Sequence, residues 1–343
     1  MATLPPLISY TPVLIPLNTP NNTPARSTTL LRRDLFDARF QVLNQDEEAA
    51  EGQEEGEDKN KGKGRETFVD EGTDLVKGVY EGGLKTWECS LDLVDCLDGF
   101  GFGEGKDEIV RGKSVLELGC GTALPSCSVF ARLLAEIRRS PSDPSQPPPK
   151  TTKLHLQDYN NQVLSLITLP NLLLTYAQHL TIPPPSSVAS EADEDPIPTP
   201  TFTDPGELDV TPSFLESFDT LLKTENIQLV FSEGDWSGMK VAEGEEYDLV
   251  LTSETIYSVP SLPSLLDLLE ASCKKETRCL VACKRIYFGV GGGELEFRRR
   301  VEERGAEVET VWGEGDGKGK STGVGRVVMS VKWAGEGKVE KKE

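Results

Sequence analysis

The chain has 343 residues and a formal net charge of −21, a length that suits one large domain with additions better than two equal ones. A balance this acidic lacks the basic face that neutralises phosphates, so direct nucleic-acid binding is not expected, whereas a basic protein partner or plain solubility fits. Seven cysteines without a CxxC pair and only two histidines, His155 and His179, suit reduced thiols in a cytoplasmic or nuclear setting and leave little for a metal site.

In chain order, residues 1–65 read as a mostly disordered arm with one short helix over Thr29 to Leu43. Its six prolines from Pro5 to Pro24 spoil the amphipathic leader that Arg26, Arg32 and Arg33 would otherwise suggest. Asp46 to Lys63 has no aromatic or β-branched residue, so nothing there offsets the entropy of ordering. The folded domain is expected over 73–335, followed by a charged tail at 336–343. Leu84 to Phe100 places Trp87, Leu91, Leu93, Val94 and Leu97 at helical spacing ahead of the first sheet strand.

Ser114 to Ser126 reads SVLELGCGTALPS. Val115, Leu116 and Leu118 form a short buried strand, Gly119 to Thr122 a tight turn, and Pro125 sits in the first turn of a helix that runs to Arg139. Glycine supplies the backbone angles and close approach that such a turn needs, and the helix N-terminus aims free N–H groups at an arriving anionic group. A dinucleotide fingerprint would need glycine at position 124, which is Leu. An acid followed by G-x-G and a small residue is matched by Glu117, Gly119, Gly121 and Ala123, the pattern of the first motif of class I methyltransferases. There the acid faces the amino group of S-adenosylmethionine.

A proline-rich insert at 140–151 separates this unit from the strand Lys153 to Gln157, which ends at Asp158. Glu117 and Asp158 stand 41 positions apart, about twice the spacing of a compact βαβ unit. Asn161 to Leu180 follows as a helix interrupted by Pro170, and 181–212 as a loop or disordered excursion. Strands are expected at Ile227 to Ser232, Tyr247 to Leu251 and Arg278 to Cys283, then at Ala306 to Trp312 and Gly325 to Trp333. Helices are expected at Leu262 to Cys273 and Glu294 to Gly305. The sum is an α/β, Rossmann-like, seven-stranded and mainly parallel sheet with helices on both faces. No apolar stretch is read as the roughly 18 residues of a membrane-crossing helix.

Ligands of such sheets sit beyond the carboxyl ends of the strands. There lie Glu117, Gly119 and Gly121, then Asp158, then Gly234, Asp235 and Trp236, then Ser253 to Tyr257. Asp158 reads equally as a turn acid or a ribose ligand, and Trp236 as a core residue or an adenine contact. GVGGG at Gly289 to Gly293 lacks the Lys-Ser/Thr of a P-loop and reads as a flexible loop on the substrate side. His155 reads as a packed strand residue. Lys284 and Arg285 read as contacts to a substrate backbone or as solvated cations.

EGGLKTWECSLDLV (Glu81 to Val94), VLELGCGTALPS, LQDYNNQVL (Leu156 to Leu164), GDWS (Gly234 to Ser237) and TSETIYS (Thr252 to Ser258) together resemble the protein-histidine N-methyltransferases of the seven-β-strand class. These are relatives of the lysine methyltransferases that carry an acid-x-x-Tyr motif after strand four. The resemblance implies S-adenosylmethionine as cofactor, contacted by Trp87, Glu88, Glu117, Gly119, Gly121, Asp158, Asn160, Gly234, Asp235, Trp236 and Ser253. It places Glu254 and Tyr257 at the transfer site, either on the second nitrogen of the target imidazole or merely holding the strand-four loop. It implies a histidine on a large-subunit ribosomal protein as target, and we expect a monomer without membrane attachment. A lysine methyltransferase on the same scaffold and a silent cofactor-binding adaptor are the alternatives.

Overall fold

The computed structural model describes residues 4–18, 26–38, 75–76, 80–81, 83–99, 110–143, 145–180, 202–289, 291–313 and 325–333. The acidic linker, the tail and most of the 181–212 insert lie outside them. The central sheet contains β3 (Ser114–Leu118), β4 (Thr152–Asp158), β6 (Ile227–Glu233), β7 (Tyr247–Ser253), β8 (Cys273–Lys284), β9 (Glu307–Trp312) and β10 (Arg326–Lys332). Their order across the sheet is β9-β10-β8-β7-β3-β4-β6. All pairings are parallel except the two made by β10. This is the expected seven-stranded sheet.

The apolar runs of β3, β7 and β8 follow from burial on both faces. Val115, Leu249, Leu251 and Leu280 face one core with α1 (Glu88–Gly99), α2 (Leu124–Arg139), α3 (Asn161–Leu180) and α4 (Pro212–Thr224). Leu116, Leu118, Val250 and Val281 face the other, with α5 (Leu262–Ala271) and α6 (Glu294–Glu303). Register aligns the ends that matter: Leu118 pairs with Gln157 and with Thr252, and Gln157 pairs with Ser232. Four strands therefore finish level.

The arm departs from the sequence expectation. β1 (Leu7–Leu17) and β2 (Arg26–Arg33) pair antiparallel, and β5 (Gly206–Asp209), from the insert expected to be loop, adds to β1. Thr29 to Arg33, expected as the start of a helix, lie in β2 instead. Alternation of Ile8, Tyr10, Leu31 and Val210 toward Leu174 of α3 gives this small sheet an apolar face, and Ile15 and Leu30 enter the main core. The prolines of β1 hid this pattern. Pro12 and Pro16 remain compatible with a strand in a narrow three-stranded sheet, where not every N–H is needed for a ladder.

Helix α3 runs through Pro170 without a break. Its turn Leu164–Thr168 is of the wide π type, the local adjustment that lets a helix absorb an irregularity. Pro170 has no N–H to give the carbonyl of Leu166 four residues back; that carbonyl instead accepts Arg33 Nη1 at 2.8 Å. Arg33 is buried and also pairs with Asp37 at 2.7 Å, and its backbone N–H donates to Asn171 Oδ1 at 2.7 Å. By length and apolar content Asn161–Leu180 meets the requirement of a membrane-crossing helix, contrary to the sequence expectation; here most of it is packed inside the domain. Helix α4 was also missed, although Thr211 caps it by accepting the Phe214 N–H and Pro212 opens its first turn.

Candidate active site

The turn after β3 is built on three left-handed residues, Gly119 (φ 60°), Gly121 (φ 52°) and Ala123 (φ 52°). A β-carbon on Gly119 would stand 2.6 Å from Thr255 Cγ2, and one on Gly121 would stand 3.2 Å from the Gly83 carbonyl. The two glycines thus let the loop after β7 and the segment before α1 close on the turn from opposite sides. Ala123 takes the same backbone region at a cost of about 1 kcal/mol. Side chains of α3 hold the turn from below: Thr168 Oγ1 donates to the Gly121 carbonyl and Asn171 Nδ2 to that of Thr122, each at 2.7 Å.

Glu117 is buried and points toward the start of α2, where its Oε2 accepts the N–H of Ser126 at 2.9 Å and the Ser126 hydroxyl. Burial pushes its carboxyl up to about 7, against the pull of the Ser126 bonds, and the charge of Asp158 adds to the rise. Asp158 is raised to about 6, again chiefly by burial. Its Oδ2 accepts the Gly121 N–H at 2.9 Å and its Oδ1 the Asn160 N–H at 3.1 Å. The acid closes its own strand-end turn and clamps the glycine turn in the same act. Asn160 caps α3 by accepting from Gln162 N.

Gln157, which the sequence analysis passed over, ties three strand ends together. Its Oε1 accepts from Gly119 N at 3.2 Å and from Trp236 Nε1 at 2.9 Å, and its Nε2 donates to the Gly234 carbonyl at 2.8 Å. Trp236 therefore lies beside the glycine turn while also packing against the α5 core. Asp235 accepts the Ser237 N–H at 2.8 Å, and its bonds to Ser237 hold its carboxyl below the usual range. Two signals pointed to Gln157: it immediately precedes the strand-end acid on a parallel strand, and it lies inside the LQDYNNQVL segment.

Ser253 ends β7, and Glu254 follows in the left-handed region (φ 57°) with its N–H on the Ala282 carbonyl. Left-handed non-glycine residues are strained and concentrate at functional sites. Glu254 Oε2 accepts the hydroxyl of Tyr287 at 2.6 Å, and its Oε1 lies 3.6 Å from Lys284 Nζ. Lys284 reaches Glu88 at 3.2 Å and stands 5.1 Å from the centroid of the Trp87 ring. The rings of Tyr257 and Tyr287 are 6.1 Å apart. Lys284 is accordingly half-buried and paired with two carboxylates, and Tyr287 is a second residue that the sequence analysis did not single out.

Within the glycine run, the described residues 291–293 bond back to neighbouring loops. Gly291 bridges Ser258, Gly293 bridges Ile286, and Gly292 donates to the Tyr257 carbonyl, where a β-carbon would fall 2.2 Å from that oxygen. Arg285 pairs with Glu294 at 3.2 Å. His155 is buried between Tyr247 and Ser232 as a packed strand residue, and burial lowers its imidazole to about 4.

A glycine turn, two carboxylates and an indole meeting at the carboxyl edge of a seven-stranded sheet with one reversed strand define a class I, S-adenosylmethionine-dependent methyltransferase. The model of a family described as lysine methyltransferase matches residues 216–302. The chain is 37% identical to histidine protein methyltransferase 1 of Schizosaccharomyces pombe, over 80% of this chain and 69% of that one. It is 34% identical to the Saccharomyces cerevisiae protein of the same name over the same shares, and 35% identical to the Bos taurus homologue over 68% of this chain and 51% of that one. The chain belongs to the histidine protein methyltransferase 1 family.

The side of the turn facing the strand ends suits the cofactor. Left-handed glycines keep it clear of β-carbons, and buried carboxylates lie within one loop of each other. When bound, S-adenosylmethionine supplies a methyl group on a positively charged sulfur.

Proposed function

We propose that this chain methylates a ring nitrogen of a histidine in a basic protein, the target being a ribosomal protein of the large subunit. The observation that carries this reading is the 37% identity to a histidine protein methyltransferase along most of the chain. The net charge of −21 is complementary to a basic target. All seven cysteines are free thiols, which suits cytoplasmic or nuclear work; we infer further that the chain acts as a monomer.

In this reading Glu117 meets the ammonium of the cofactor, Asp158 and Asn160 its ribose, and Gly234 to Trp236 its base. Gly119 and Gly121 let it approach the backbone, and Trp87, Glu88 and Ser253 complete the enclosure. The chemistry asks mainly for placement. A neutral imidazole nitrogen already carries a lone pair, and holding two reactants in line at about 3 to 3.5 Å supplies on the order of 7 to 11 kcal/mol. Glu254 and Tyr257 border the transfer site and orient the target ring.

The test is incubation with isotopically labelled donor and an extract lacking its own activity, followed by mass spectrometry of the labelled peptide. Methylhistidine is expected. Methyllysine would favour the second reading, which rests on the description of the matching family model; an amine must first lose a proton, so that reading also needs a pocket that lowers its pKa.

A further inference from the structure

Among the described residues, Glu254 is the one acidic side chain of the site with a buried oxygen lacking a hydrogen-bond donor. Its side chain is 8% exposed, Oε2 takes the Tyr287 hydroxyl at 2.6 Å, and Oε1 has no hydrogen-bond donor among the described residues. Lys284 Nζ stands 3.6 Å from Oε1, beyond a good hydrogen bond, because the same ammonium is engaged by Glu88 at 3.2 Å and lies against Trp87. The buried Cys89 thiol also borders this carboxylate and, kept protonated by burial, is at most a weak donor. A buried carboxylate oxygen without a strong hydrogen-bond donor is costly to maintain.

Tyr287 is suited to fix the group. Burial, and then the charge of Glu254, push its phenol up, so it stays a donor. Its oxygen also accepts the Lys284 backbone N–H at 3.2 Å, which locks the ring to the end of β8. Tyr257 packs at 6.1 Å from the same ring. Carboxylate, phenol and ammonium thus form one unit, with an Oε1 lone pair left over.

We propose that Tyr287 and Lys284 are positioning residues that act through Glu254, reserving its Oε1 for the N–H of the target imidazole and so selecting which ring nitrogen receives the methyl. This rests on the histidine reading above. The ring nitrogen opposite the N–H forms the new N–C bond as the methyl–sulfur bond breaks, and that electron pair stays on sulfur as a neutral thioether. The methylated ring is then a cation whose remaining N–H proton sits on Oε1 and passes to water, leaving neutral methylhistidine. A lysine amine offers no second nitrogen for such a contact.

The experiment compares wild type, Tyr287→Phe, Lys284→Met, Lys284→Arg, Glu254→Gln and the double variant Tyr287→Phe/Glu254→Gln. Each is assayed on protein salt-washed from large ribosomal subunits of cells lacking the activity. The readouts are kcat, KM, the ratio of the two methylhistidine isomers, and cofactor affinity by calorimetry as a control for folding. Tyr287→Phe, which keeps the ring, is expected to lower kcat about 10- to 100-fold, as a small misplacement does. It should also shift the isomer ratio while cofactor affinity stays within about twofold. Lys284→Arg should recover most of what Lys284→Met loses. In the Glu254→Gln background Tyr287→Phe should cost nothing more, because residues acting as a unit are not additive. An unchanged isomer ratio, or losses that simply add, overturns the proposal while methylhistidine production leaves the histidine reading standing. Absence of methylhistidine from the wild-type reaction overturns both.

Discussion

Trp236 donates its indole N–H to Gln157 Oε1 at 2.9 Å, and the same oxygen receives the N–H of Gly119. One amide therefore sets the distance between the glycine turn and the indole that borders it. Its other end, on the Gly234 carbonyl, fixes the start of the Trp236 turn.

Gln157→Ala is expected to weaken cofactor binding about tenfold and to lower stability by about 1 to 3 kcal/mol, since a part-buried carbonyl and two N–H donors lose their partner together. Calorimetry and urea denaturation measure the two effects. Gln157→Glu keeps both acceptor bonds but loses the donor to Gly234, so it should fall between wild type and Ala. Equal affinity in all three proteins would show that the amide serves the sheet alone.

Arg33 carries a second expectation. Its guanidinium is buried, pairs with Asp37 and takes the Leu166 carbonyl that Pro170 leaves without a donor. Arg33→Met should destabilise the domain by about 2 to 4 kcal/mol, because both an acid and a buried carbonyl lose their partner. Replacing Pro170 by Ala supplies an N–H near that carbonyl, so Pro170→Ala should recover part of the loss in the Arg33→Met protein. Denaturant midpoints at constant slope decide it.

The sheet and its ligand edge were legible because their signals are local. A strand, glycines and a helix in sequence specify the Glu117–Gly121 turn, and an acid at a strand end specifies Asp158. The arm was illegible because its apolar alternation is diluted by prolines and becomes meaningful only against Leu174 of α3. Gln157, Thr255 and Tyr287 were passed over for a related reason. Gln157 and Thr255 lie inside the family-like segments but carry no charge or special role there, and Tyr287 lies outside them all; each acquires its place through a partner distant in the chain, as Tyr287 does with Glu254. The unbroken α3 shows the same limit from the other side, since Pro170 argues for a break until Arg33 is in place.

The raised carboxyl of Glu117 gives stability a definite dependence on pH. Its folded value of about 7 lies above the ordinary 4.5, so the folded state holds a proton that the unfolded chain has released. Stability from this group is complete below about 4.5, falls as pH rises and is lost by about 7, with an upper bound of about 3 kcal/mol. Thermal melts of wild type from pH 5 to 8 should decline, and Glu117→Gln, which keeps the Ser126 bonds to its carbonyl, should flatten the decline. A cationic ligand group placed on Glu117 favours the charged form, so cofactor binding near pH 6 should release protons, seen as a binding enthalpy that varies with buffer. Binding without proton release would place the ammonium elsewhere.

Gly119 offers the most local test of how the loop after β7 meets the turn. A β-carbon there would meet Thr255 Cγ2 at 2.6 Å, and the residue sits at φ 60°. Gly119→Ala therefore adds a steric clash to about 1 to 2 kcal/mol of backbone strain. The two parts separate with a second substitution. Thr255→Ser removes Cγ2 and keeps the hydroxyl that bonds Thr252 at 2.7 Å, so the clash disappears while the strain persists. In the Thr255→Ser background Gly119→Ala should cost less than in wild type, by about 1 kcal/mol or more, the coupling expected of residues in contact. Cofactor affinity should recover in parallel, because relief of the clash returns the Gly119 N–H to Gln157. Additive losses would mean that the loop yields freely at Thr255 and that the left-handed backbone alone makes glycine necessary at this position.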